Sequence, residues 1–225
     1  MLTKTEKQFS LFFSVIVIIE LVSNSIEVLY KLHMVVKPLI VLSLIGYVMW
    51  QGKLLQTTRK SLLLLALFCS MVGDILLMFD DQNPQFFIFG LIAFLVAHVM
   101  YILLFLKDRN HSKNALPFIL VLLIYASALF YLLKDGLGEM LIPVIAYMLV
   151  ILTMATTAFL RKDKASKQSY LPVYIGALLF MLSDSLLALN MFYLPIPFAN
   201  FAIMMTYASA QFLIVIGILR QTKDT

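Results

Sequence analysis

The chain has one cysteine, Cys69, so no internal disulfide can form, and that residue sits in an apolar run where packing is its expected role. It has three histidines: His33 and His111 fall in opposite loops by the sequence reading, so no three-histidine metal site is expected. Its eight glycines form no phosphate-binding loop, no haem attachment motif or heptad array is present, and the serines Ser70, Ser183 and Ser185 lack a nucleophile-elbow context. No cofactor is therefore expected. Charge is scarce as well: 13% of residues are charged against 62% hydrophobic, with a mean hydropathy of +0.98. This balance excludes an ordinary soluble domain.

What remains is a series of oily runs. Stretches near twenty apolar residues occur at approximately 9–29, 34–50, 61–79, 85–106, 115–133, 139–160, 171–190 and 199–219. The expected fold is an all-α integral membrane bundle of eight transmembrane helices, forming a single polytopic domain over residues 1–225. The N-terminal stretch is interrupted by Glu20 and followed by no small-residue cleavage site, so it reads as a retained first helix.

The loops alternate in charge. Lys and Arg number 14 on one side and 2 on the other, with Lys37 inside a segment and Asp80 and Asp81 in the loop after the third run. The positive-inside rule then places both the N and C termini in the cytoplasm. The net charge of +5 is accounted for by dispersed cytoplasmic anchors, Arg161 among them, and carries no case for nucleic acid. A bacterial host would place such a helical bundle in the inner membrane, since outer-membrane proteins are barrels.

Two aspartates stand inside these runs: Asp74 in Gly73-Asp74-Ile75-Leu76-Leu77 and Asp184 in Ser183-Asp184-Ser185-Leu186-Leu187. Each is at the same count from the start of its run, so the carboxyls are expected at similar depth. An acid near the centre of a membrane helix costs roughly 2.5–3.5 kcal/mol and normally faces a cavity or partner. Each aspartate-bearing helix is followed by a returning helix with polar residues, His98 and Tyr101 in one case, Tyr207 and Gln211 in the other. This reads as a faint four-plus-four parallel repeat. Ala93 with Ala97, and Ala202 with Thr206 and Ala210, are small-residue ridges suited to helix packing.

The other polar residues have plain alternatives. Glu20, Ser23, Asn24 and Glu27 share one helix face, and Glu20 is either a buried strut or a site residue. Lys37 precedes Pro38, which is expected in a first helical turn that keeps Lys37 out of regular helix; its ammonium could pair an aspartate or hold a phosphate, or simply snorkel to the interface. His98 is either a titrating group or a satisfied core residue.

In order along the chain, Lys37-Pro38, Gly73-Asp74-Ile75-Leu76-Leu77-Met78, Gly90, Phe94, Ala97-His98, Tyr101, Gly176-Ala177-Leu178-Leu179-Phe180, Ser183-Asp184-Ser185, Thr206-Tyr207 and Gln211 resemble the YhhN-type membrane family, whose animal members include the lysoplasmalogenases. Ala208 departs from the pattern, where a second aromatic is expected. The resemblance implies hydrolysis of the vinyl ether bond of a lysophospholipid to a fatty aldehyde and a glycerophospho-base, with membrane lipids as surroundings. The residue types suit that chemistry: one carboxyl can donate a proton while the other, charged, stabilises an oxocarbenium ion and activates water. Asp74 and Asp184 are the expected catalytic pair, with Lys37, His98, Tyr101, Tyr207, Gln211 and Glu20 binding or orienting. A proton-coupled transporter is the alternative from another class, since buried acids also mark transport paths. An intramembrane aspartyl protease is a lesser one, because Met71-Val72-Gly73-Asp74 lacks the Gly-x-Gly-Asp pattern.

Overall fold

The computed structural model of the chain describes residues 3–80 and 82–221. Asp81 and Lys223, both counted among the loop charges, lie outside the described residues, and so does the side chain of Glu27. Eight helices follow one another: α1 Lys4–Ser25, α2 Tyr30–Gln51, α3 Thr57–Leu77, α4 Pro84–Leu106, α5 Leu116–Leu133, α6 Leu141–Phe159, α7 Lys167–Phe192 and α8 Ala199–Arg220. All eight are long and apolar enough to cross a membrane.

Local chemistry sets the helix starts. Thr3 Oγ1 accepts from the Glu6 amide while a Glu6 carboxylate oxygen accepts from the Thr3 amide, a reciprocal cap that opens α1. Asn83 caps α4 and Pro84 occupies its first turn, where a missing N–H costs nothing. Ser166 caps α7. Helices α1, α2, α3 and α7 each begin about one turn before hydropathy alone suggests, and for α1 and α7 a capping side chain, Thr3 or Ser166, sets that earlier start.

Two expectations for the second segment are corrected by its longer helix. Lys37 and Pro38 lie within α2 rather than at its start, and Lys37 is helical. Pro38 removes one backbone hydrogen bond to the preceding turn, and the helix continues through it because neighbouring helices hold both halves. His33, read as a loop residue, is on the first turn of α2 and buried.

The bundle is oily outside as well as inside. Leu11, Ile18, Val35, Phe68, Ile124 and Leu149 project outward, as expected where the surrounding solvent is lipid. The aromatic and aliphatic core includes Ile40, Leu44, Leu63, Leu67, Tyr101, Phe105, Phe180 and Ile214. Helices α7 and α8 pair most extensively, then α3 with α4. At Gly176 an added Cβ would lie 2.9 Å from the Ala210 carbonyl oxygen, so glycine permits the close α7–α8 approach.

The start of α1 and the end of α8 meet: Arg220 donates to both carboxylate oxygens of Glu6 at 3.0 and 3.2 Å. The beginning of the first helix and the end of the last thus share one face of the bundle. On that face Arg161 is no surface anchor, contrary to the sequence reading. It is fully buried, donates to Asp108 at 3.3 Å and to Ser169 at 2.9 Å, and lies over the Phe105 ring. Arg59 Nη1 contacts the same Asp108 at 2.7 Å. Burial pushes the Arg161 guanidinium down to about 10, with Asp108 opposing that fall, so it stays charged at neutral pH.

Candidate active site

Asp74 and Asp184 are each the eighteenth residue of their helix, α3 and α7, so the matched count survives the earlier helix starts. Both line one cavity of about 360 Å³ bounded by α1, α2, α3, α4, α7 and α8. Asp74 is buried and the Asp184 side chain is 16% exposed.

Each carboxyl is held by a tyrosine. Tyr207 on α8 donates its hydroxyl to Asp74 Oδ2 at 2.6 Å. Behind it, Gln211 donates its amide to the Tyr207 oxygen at 3.3 Å, and Tyr101 on α4 donates to Gln211 Oε1 at 2.5 Å. Tyr101 therefore acts on Asp74 only through two intermediates, from 110 residues away in sequence from Gln211. On the other side Tyr147 of α6 donates to Asp184 Oδ2 at 2.5 Å. His98 Nε2 lies 3.7 Å from the same oxygen, beyond hydrogen-bond range, and its ring packs edge-on against Phe180 and Tyr147.

Lys37 lines the same cavity, as do Asn24, Tyr30 and Asp80. Glu20 is set one layer back: fully buried, it lies 2.8 Å from Nδ1 of His33, and it is His33 that reaches the cavity. Ser183 donates to the Ile203 carbonyl and Ser185 to that of Met181, as expected of serines bonding backbone. All eight residues singled out from the sequence thus belong to one neighbourhood: Lys37, Asp74, Asp184 and Tyr207 line the cavity, Glu20 lies behind His33, His98 beside Asp184, and Tyr101 and Gln211 behind Tyr207.

Two members were missed. Tyr147 carried a signal, a lone tyrosine within the apolar α6 sequence, but tyrosine packs so readily in cores that nothing set it apart. His33 stood outside the oily run used to mark the second helix. Among the described residues, no group of three His, Cys, Asp or Glu is placed to hold a metal ion.

The arrangement offers two carboxyls, each accepting one hydroxyl proton, at the junction of a polar cavity and an apolar wall. That is suited to moving a proton and stabilising a cation away from bulk water. Eight apolar helices around a buried acidic cavity define an integral, multi-pass membrane protein.

Within that class the chain belongs to the YhhN family, whose model matches residues 32–218. Similar proteins include a Homo sapiens protein named lysoplasmalogenase TMEM86B, 36% identical over 157 residues, 69% of this chain and 62% of the relative. The Mus musculus protein of that name is 36% identical over 155 residues, again 69% and 62%. A Bos taurus protein named lysoplasmalogenase TMEM86A is 31% identical over 170 residues, 74% of this chain and 68% of the relative. The chain thus spans about 62% of the length of the first two relatives. No solved structure matches it.

Proposed function

We propose that this protein is a membrane-embedded hydrolase that cleaves the vinyl ether bond of lysoplasmalogen-type lysolipids, releasing a fatty aldehyde and a glycerophospho-base. The observation that carries the proposal is the convergence of Asp74 and Asp184, from α3 and α7, on one cavity with a tyrosine hydroxyl bound to each. The relatives named lysoplasmalogenase support the substrate class.

An enol ether is cleaved by protonating its β-carbon, which leaves an oxocarbenium ion that water captures as a hemiacetal. The hemiacetal collapses to aldehyde and alcohol. One carboxylic acid supplies the proton; one carboxylate stabilises the cation and accepts a proton from the attacking water. Neighbouring carboxyls resist ionising together, which suits this division. General acid catalysis contributes typically ~10²–10⁴-fold, and fixed dipoles aimed at the developing charge supply much of the rest. Lys37 and His33 line the polar cavity, and their side chains suit the phosphate of the headgroup.

The test is mass spectrometry of purified protein incubated with a 1-alkenyl lysolipid and, separately, its saturated 1-alkyl counterpart. Aldehyde from the alkenyl lipid alone is the expected result. An absence of aldehyde from folded protein contradicts it and favours the transport alternative, which a flux assay in vesicles then addresses.

A further inference from the structure

A second, apolar crevice adjoins the polar cavity. It holds about 50 Å³ and is walled by Phe87 and Leu91 of α4, Val144 and Tyr147 of α6, and Ala188 and Phe192 of α7. Leu77, Phe94, Asp184 and Leu187 line both spaces, so the two meet at this group. Asp184 is the one carboxyl common to both; Asp74 borders the polar cavity only. Leu91, Ala188 and Phe192 are partly exposed, and Ile88, Ile145 and Met191 nearby face outward, so the crevice lies at the lipid-facing side of the bundle.

Resting on the hydrolase reading above, we infer that this crevice seats the first carbons of the substrate's aliphatic chain, and that Asp184 is consequently the group that protonates the vinyl ether. The occupant follows from adjacency and chemistry. A single-chain lipid has one polar end and one oily end joined at the reacting bond, and here a polar cavity and an oily crevice meet at a carboxyl. With the headgroup beside Lys37 and the chain in the crevice, the carbon that bears the chain lies on the Asp184 side. The oxygen-bearing carbon lies toward Asp74. The crevice takes only the start of the chain, and the remainder passes sideways into the bilayer.

The steps balance. The Asp184 proton goes to the β-carbon as the double-bond electrons form the new C–H bond, leaving a carbon–oxygen cation. Water adds its oxygen to that carbon and gives a proton to the Asp74 carboxylate. In the collapse, the hemiacetal hydroxyl returns a proton to Asp184 while Asp74 protonates the departing glycerol oxygen. Both carboxyls end as they began.

Ala188→Phe fills the crevice. With a long-chain alkenyl lysolipid its kcat/KM should fall at least tenfold, whereas a vinyl ether with no carbons beyond the double bond, which releases acetaldehyde, should be cleaved at the wild-type rate. Equal retention of both substrates overturns the chain seat. A variant that loses both is judged by a second measurement on wild-type protein, photolabelling with a saturated-ether lysolipid carrying a diazirine next to the ether. Label on the α4 or α7 wall supports the seat, and label confined elsewhere, such as the groove between α1 and α8, overturns it. Because labelling needs no turnover, it decides the seat even if wild type releases no aldehyde and the hydrolase reading itself fails. For the proton donor, azide should let Asp74→Gly consume the alkenyl lipid by adding to the cation, giving an α-azido ether that keeps the glycerol oxygen and is read by its mass, and should not do so for Asp184→Gly; any other pattern overturns that assignment.

Discussion

The hydrogen bonds behind Asp74 have a direction. Tyr101 gives its single hydroxyl proton to the Gln211 carbonyl oxygen, so the Gln211 amide nitrogen is the end left to face Tyr207. With its oxygen accepting from Gln211, the Tyr207 hydroxyl has its proton free for Asp74. Removing that hydroxyl leaves the carboxyl buried with one donor fewer. Hydrogen bonds to charged groups are worth roughly 1.5–3 kcal/mol, so Tyr207→Phe is expected to lower kcat by about 10- to 100-fold, read by steady-state aldehyde release, and to lower the melting temperature as well, since Asp74 and the Gln211 amide each lose a buried partner. Most of this site was legible in the sequence, because an acid, an amide or a histidine inside an oily run has few innocent explanations. Tyr147 was not, since a tyrosine in a helix core is ordinary. His33 was not either, for it precedes the oily run that begins at residue 34, and Lys31 beside it makes the stretch read as a loop.

At the level of helices, the site depends on approach distances that polar residues alone cannot set. An added Cβ at Gly73 would lie 2.6 Å from the Phe94 ring, so glycine there lets α4 press against α3 beside Asp74. At the far ends of these helices Asp108 holds Arg59 and Arg161 together, joining the start of α3, the turn after α4, the turn after α6 and, through Ser169, α7. Loss of that shared anion strands a fully buried guanidinium. Asp108→Ala is therefore expected to destabilise the protein by about 3–5 kcal/mol, measured as a lowered melting temperature in detergent with wild-type KM in the surviving fraction. Sequence reading could not find this cluster. Its members lie 49 and 53 residues apart, and each alone looks like a juxtamembrane charge.

For the molecule as a whole, eight spans and their order follow from run length, because bilayer thickness imposes it. Which helices touch does not follow, because a helix oily on every face carries no stripe to say which side is inward. The side-by-side packing of α4 with α6, which brings Tyr147 to Asp184, is of this kind. The Glu6–Arg220 contact sets the two ends on one face, and the charge bias gives the expectation, still to be tested, that this face is cytoplasmic. With Cys69 replaced by serine, a membrane-impermeant maleimide applied to intact cells should label Phe198→Cys, in the loop before α8, and spare Lys164→Cys; the opposite pattern inverts the topology. The central claim is that two carboxyls on separate helices act together on a vinyl ether. Its most direct test is aldehyde release from a 1-alkenyl lysolipid by purified Asp74→Asn and Asp184→Asn, each checked for wild-type melting. The account predicts that both variants fold and that both lose turnover by at least about 10²-fold, the usual scale of a lost general acid or base. A near-wild-type rate in either folded variant would contradict it.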